Sequence, residues 1–108
     1  MEINEYQHLA MRTLDTAQTK QENLINAAMG LAGESGEVID LIKKWQFHHH
    51  PLNKDELIKE LGDVAWYLAQ AATGLDIPLE SIFTQNIEKL AKRYPQGFSA
   101  EASLSHKE

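Results

Sequence analysis

The stretch Gly30-Leu31-Ala32-Gly33-Glu34-Ser35-Gly36-Glu37-Val38-Ile39-Asp40-Leu41-Ile42-Lys43-Lys44 decides how the chain reads. Leu31, Val38, Leu41 and Ile42 recur at helical spacing. With Leu24, Ala27, Ala28 and Trp45 they make one apolar side of a long helix, at about 100° per residue. With Leu31 at the centre of that side, Glu34 lies about 60° away, inside it, and Glu37 about 120° away, at its rim. Carboxylates so placed are costly unless something neutralises them. Gly30, Gly33 and Gly36 each weaken a helix by up to about 1 kcal/mol relative to alanine. Three of them beside the glutamates predict a close backbone approach or a bend.

Working outward, Thr19-Lys20-Gln21-Glu22 has the form of a capping box, which starts this helix and lets it run to about Trp45 or Phe47. Upstream, Tyr6, Leu9, Ala10, Thr13, Leu14 and Ala17 predict a first helix from Ile3 to about Thr16. Downstream, His48-His49-His50-Pro51-Leu52 is a loop. Asn53 with Glu56 caps a third helix, whose inner side is Leu57, Leu61, Val64, Leu68, Ala71 and Ala72. That helix is expected to stop at Thr73-Gly74, glycine being the usual exit residue. Pro78 suits the first turn of a fourth helix, with Leu79, Ile82, Phe83, Asn86 and Leu90 inward, ended by Tyr94-Pro95-Gln96-Gly97. Phe98 is expected to dock as an apolar plug. No strand, repeat or low-complexity segment is evident. The expected fold is all-α, an antiparallel four-helix bundle that is oligomeric. Residues 1–98 are expected to form one domain, with 99–108 a frayed tail.

The 108 residues suit a single domain, and 43% apolar content gives a modest core that a partner subunit can complete. No apolar run reaches the roughly 20 residues of a membrane span, and Glu2 and Glu5 stand where a signal peptide would be basic. Cysteine is absent, which excludes disulfides and thiolate metal sites and fits a cytoplasmic setting. A net charge of −6 argues against a nucleic-acid polymer as partner.

A second acidic pair, Glu60 and Asp63, borders the stripe of the third helix beside Val64 and Tyr67. One such pair is ordinary on a solvated face, where Lys43, Lys59 or Lys92 neutralise it. Two pairs on consecutive helices, both bordering the core, predict that the four carboxylates face each other and hold a divalent metal. Oxygen-only donors select magnesium, with manganese as a substitute, over zinc. A ferritin-like di-iron site needs two Glu-x-x-His units, and only Glu5-Tyr6-Gln7-His8 has that form. On the fourth helix, Asn86, Lys89 and Arg93 fall on the inward side, where two cations suit phosphate contact; the plainer reading has them reach the surface and pair with Glu88. His48, His49 and His50 read as a solvated loop, since adjacent histidines do not converge on one ion. Trp45, Trp66, Tyr67 and Phe83 read as core or interface, with Trp66 the best interface candidate. His8 and Gln7 have no evident site.

Gly-Leu-Ala-Gly-Glu34-x-x-Glu37-Val, then Glu60-Leu-Gly-Asp63-Val, then Asn86-x-x-Lys89-Leu-x-x-Arg93-Tyr-Pro-x-Gly-Phe resembles the MazG-like nucleotide pyrophosphohydrolases of the all-α NTP pyrophosphatase superfamily. The likeness spans roughly residues 3 to 98. It implies an enzyme that hydrolyses a (deoxy)nucleoside triphosphate to the monophosphate and diphosphate, in nucleotide-pool housecleaning. It implies magnesium on Glu34, Glu37, Glu60 and Asp63, and triphosphate contact by Lys89 and Arg93 with Asn86 as companion. It also implies a homodimer or homotetramer with sites near subunit contacts. The competing expectation is a non-catalytic acidic helical module for interaction or regulation.

Overall fold

The computed structural model describes residues 1–105. They form α1 (Ile3–Met11), α2 (Lys20–Phe47), α3 (Lys54–Gly74), α4 (Leu79–Arg93) and α5 (Ala100–Ser105). No strand forms among the described residues; Pro95 and Gly97 make an isolated bridge.

The predicted α2 start is realised in full. Thr19 Oγ1 accepts from Glu22 N at 3.1 Å, and Glu22 returns the bond by accepting from Thr19 N at 2.9 Å. Asn53 Oδ1 likewise accepts from Glu56 N at 3.1 Å to open α3. Proline cannot cap α4 with a side chain, so α1 does so across the fold. Gln7 Oε1 accepts from Leu79 N at 2.7 Å and Asn4 Oδ1 accepts from Glu80 N at 3.2 Å, which satisfies two of the orphan donors of that helix. Gln7 is therefore a cap, a role that spacing alone does not show.

The α1 helix stops at Met11, well short of Thr16. Ala10 O is taken by the Thr13 backbone N–H, by Thr13 Oγ1 and by Trp66 Nε1, and Trp66 also donates to Thr13 Oγ1 at 2.8 Å. That carbonyl is thus spent on a tight turn and a tertiary bond instead of another helical turn. Trp66 anchors α1 to α3 within the chain through these two bonds. Its ring also meets Tyr67 edge-on, with centroids 5.1 Å apart.

The helices α2 and α3 run antiparallel as a close pair, and α1 and α4 pack on α3 and on each other. Positions along the seam recur at four-three spacing in both helices, the geometry of interdigitating ridges. Near one end Gly74 presses on the α2 backbone, where a Cβ would meet Leu24 N and Lys20 O at 3.1 Å. The residue that turns out of α3 in the left-handed region is Asp76 (φ 59), not Gly74, and Lys20 pairs with it. One turn inward, Gln70 is the largest fully buried side chain described. It accepts from Asn26 Nδ2 at 3.1 Å and donates to Asn23 Oδ1 at 3.4 Å.

The apolar core is small: Ala69, Ala72 and Leu79, with Tyr6, Ala10, Leu68 and Ile82 against it. The radius of gyration is 16.9 Å, against about 13 Å for a compact domain of this length. Beyond Ile82, α4 exposes its expected inner side, including Phe83 and Leu90. Phe98 does not plug the core; it is 79% exposed and stacks only on Tyr94, with centroids 5.4 Å apart. The tail expected to fray instead forms α5, opened by Ser99 Oγ accepting from Ala102 N at 3.0 Å. Positions 106–108 lie outside the described residues.

Replacing Gln70 with leucine keeps its bulk and strands the amides of Asn23 and Asn26. The cost is expected to be about 1–3 kcal/mol, read as a lower urea midpoint with an unchanged slope.

Candidate active site

Two turns along the seam from Gln70, the α2 and α3 carboxylates meet. One carboxylate oxygen from each of Glu34, Glu60 and Asp63 lies within 4.8 Å of the other two. Glu34 and Glu60 are half-buried and Asp63 is exposed. Glu37 is exposed and outside this group, although the seam places it level with Glu60. Three of the four expected carboxylates therefore converge, and the fourth stands one turn along.

The local electrostatics are unfavourable as they stand. The ion pairs seen among the described residues, Lys20–Asp76 and Lys44–Asp40, lie away from the four carboxylates. Glu34 Oε2 is shut away from solvent with no hydrogen-bond partner. Glu60 is pushed above its ordinary value, chiefly by the Glu34 carboxylate at hydrogen-bonding range, then by desolvation and the charges of Glu34, Asp63 and Glu56. Tyr6 of α1 is also raised, by burial first and by the charge of Asp63 second.

This donor set fits a hard divalent cation. Magnesium takes oxygens at about 2.0–2.1 Å in an octahedron, so its ligand oxygens stand about 3–4 Å apart. From within 4.8 Å of one another, the three carboxylate oxygens need to close by at most about 2 Å to meet that geometry, and the buried Glu34 Oε2 is an orphaned donor atom for it.

The remaining expected residues lie elsewhere on the chain. Asn86 and Lys89 are exposed on α4, and Arg93 is half-buried near its end. His48, His49 and His50 are exposed in their loop, with His49 in the left-handed region at φ 60 and His50 N donating to Lys44 O. The sequence reading missed the amides of the seam. Their signal is that Asp63, Tyr67 and Gln70 continue the four-three spacing of one α3 face, opposite Glu34, Gly30 and Ala27.

The chain is an all-helical scaffold that gathers carboxylates between two antiparallel helices. Its family follows from the sequence of those same helices: residues 21–98 match the MazG nucleotide pyrophosphohydrolase domain, and the chain belongs to that family. It is also 40% identical over 80 residues to the Gene 37 protein of Mycobacterium phage L5, an alignment covering 70% of each chain. No solved structure matches it.

Glu60 holds its proton more tightly in the folded chain than in the unfolded one. Its stabilising contribution is complete below the ordinary glutamate range and is lost as pH rises through the raised folded value. The metal-free melting temperature is therefore expected to fall over that window in the native chain and to fall less in Glu60→Gln. Magnesium at about 100 times its dissociation constant is expected to restore about 2–3 kcal/mol at neutral pH, and little at acid pH where protons compete. Calorimetric melts across pH, with and without magnesium, check both.

Proposed function

We propose that the protein is a magnesium-dependent nucleoside triphosphate pyrophosphohydrolase, converting a (deoxy)nucleoside triphosphate and water to the monophosphate and diphosphate. The observation that carries this reading is the convergence of Glu34, Glu60 and Asp63 inside the span that matches the MazG domain. Glu34, Glu60 and Asp63 hold the cation, and Glu37 completes the set from the adjacent turn. Magnesium bound there neutralises phosphate charge and lowers the pKa of water. In this reading Glu37, exposed and outside the tight group, accepts the proton of the attacking water. On α4, Lys89 and Arg93 contact the polyphosphate, the planar arginine fork suiting two oxygens at once, with Asn86 donating beside them. Water attacks the α-phosphorus and the diphosphate leaves with its charge held by these cations.

The proposed setting is the cytoplasm, with a role in clearing unwanted nucleotides from the pool. No helix among the described residues is long and apolar enough to cross a membrane.

We further propose a homodimer or homotetramer that completes a four-helix bundle. The support is the large radius of gyration and the apolar side chains left bare at the far end of the α2–α3 pair, where Ile39, Phe47 and Ile58 are 64%, 71% and 65% exposed. Sedimentation equilibrium is expected to give twice or four times the chain mass of 12.2 kDa, and Ile39→Glu to shift it toward the monomer.

The decisive experiment incubates the protein with a panel of ribo- and deoxyribonucleoside triphosphates plus magnesium and resolves the products. Monophosphate and diphosphate are expected, and orthophosphate as first product would move the attack to the γ-phosphorus. Glu34→Gln and Asp63→Asn each remove a cation ligand worth several kcal/mol of charge stabilisation. Each is expected to lower turnover at least ~100-fold with helicity intact by circular dichroism. No turnover on any nucleotide, together with no magnesium-induced thermal shift, would leave a non-catalytic acidic module.

A further inference from the structure

One turn along α2 from Glu34 stands Gly30, and one turn along α3 from Asp63 stands Tyr67. The two meet face to face. A Cβ built on Gly30 would overlap the Tyr67 ring at Cδ1, Cε1 and Cζ. The three other glycines beside the acidic residues behave differently: a Cβ on Gly33, Gly36 or Gly62 meets nothing within 4 Å. Of the glycines beside the carboxylates, Gly30 is the one at which another element closes on the backbone. The ring cannot swing away freely, because Trp66 lies edge-on against it and is itself tied to Ala10 and Thr13 of α1.

We infer that Gly30 and the Tyr67 ring form a spacer that sets how far Glu34 stands from Glu60 and Asp63, making them positioning residues for the divalent cation and not ligands of it. This rests on the reading of the three carboxylates as a cation site. The tolerance is narrow. The oxygens lie within 4.8 Å, and octahedral coordination at about 2.1 Å admits at most about 4.2 Å between opposite ligands. A methyl group on Gly30 must move the ring or the helix by more than about 1 Å to reach ordinary contact at about 3.5–4.0 Å. That shift adds directly to the gap that the three carboxylates must close to share one ion, and every rotamer change that makes it up costs affinity. The spacer is adjacent to the carboxylates on both helices, so the displacement reaches them undiluted.

The test reads manganese binding to the nucleotide-free protein by calorimetry, with paramagnetic resonance of the bound ion as a second signal. Gly30→Ala is expected to weaken manganese at least tenfold while helicity is retained. The double variant Gly30→Ala with Tyr67→Leu removes the ring that the new methyl strikes and is expected to regain most of the affinity. Tyr67→Phe keeps the ring and is expected to bind as the native chain does. Should Gly30→Ala fail to fold, Tyr67→Trp imposes the same separation from the α3 side and is expected to show the same loss. Native affinity in a folded Gly30→Ala or Tyr67→Trp overturns the spacer, as does a folded double variant as weak as Gly30→Ala alone. A native chain that binds no manganese overturns the cation site itself and the spacer with it, which separates the two failures.

Discussion

The whole arrangement depends on how closely two helices can lie side by side. At Gly30 the α2 backbone is bare and an aromatic ring rests on it; at Gly74 the α3 backbone is bare and the first turns of α2 rest on it. Between those contacts sits Gln70, buried and bonded to two asparagines. A buried amide with satisfied partners adds little net stability, but it penalises every register that leaves it unpaired. Small residues thus permit the approach, and the amides fix where along the seam it occurs. The carboxylates inherit both settings, since they are the next seam positions in line.

That inheritance creates a conflict between folding and function. Three carboxylates forced together without a compensating cation repel each other, and Glu60 answers by holding its proton more tightly. Nothing within the acidic group relieves this. The close backbone approaches lie on one side of it, at Gly30 against Tyr67 and at Gly74 against the start of α2. On the other side the pair runs on to Phe47 with exposed apolar residues and little within the chain to hold it. The strained group therefore sits at the boundary between the part of the seam that one chain stabilises and the part it leaves bare.

Much of this was legible in sequence, and the failures have physical reasons. The α2 and α3 bounds follow from local chemistry: a threonine–glutamate box and an asparagine cap act within one turn, so spacing reveals them. The acidic pairs were legible because charge bordering an apolar stripe is costly wherever the helices go. The end of α1 was not, because the Ala10 carbonyl in its last turn is claimed by Trp66, distant in sequence. Gln7 as a cap of α4 and Gln70 as a seam residue were hidden for the same reason: an amide on a helix has the same local pattern whether it meets water or a partner. The glycines were half legible. Their helix cost is visible in composition, but only packing shows that Gly30 and Gly74 carry the contact while Gly33, Gly36 and Gly62 face open space.

The open glycines and the bare apolar ends bear on one question, which is why a chain of this size has so thin a core. A helix pair that buries chiefly alanines and amides gains little from the hydrophobic effect, which scales with apolar area removed from water. Among the large apolar side chains left in solvent are Ile39, Phe47 and Ile58 of that pair and Ile87 of α4. Leaving a side chain of that size exposed forgoes about 1.5–3 kcal/mol of burial, so four of them amount to a sizeable fraction of the stability of a typical domain. The inside of the chain thus specifies geometry, through close backbones and paired amides, while most of the available hydrophobic stabilisation is displayed on its outside. In the proposed oligomer such a surface would gain stability from the helical face that covers it, and the acidic group beside it would form the floor of a cleft instead of a feature of an open seam.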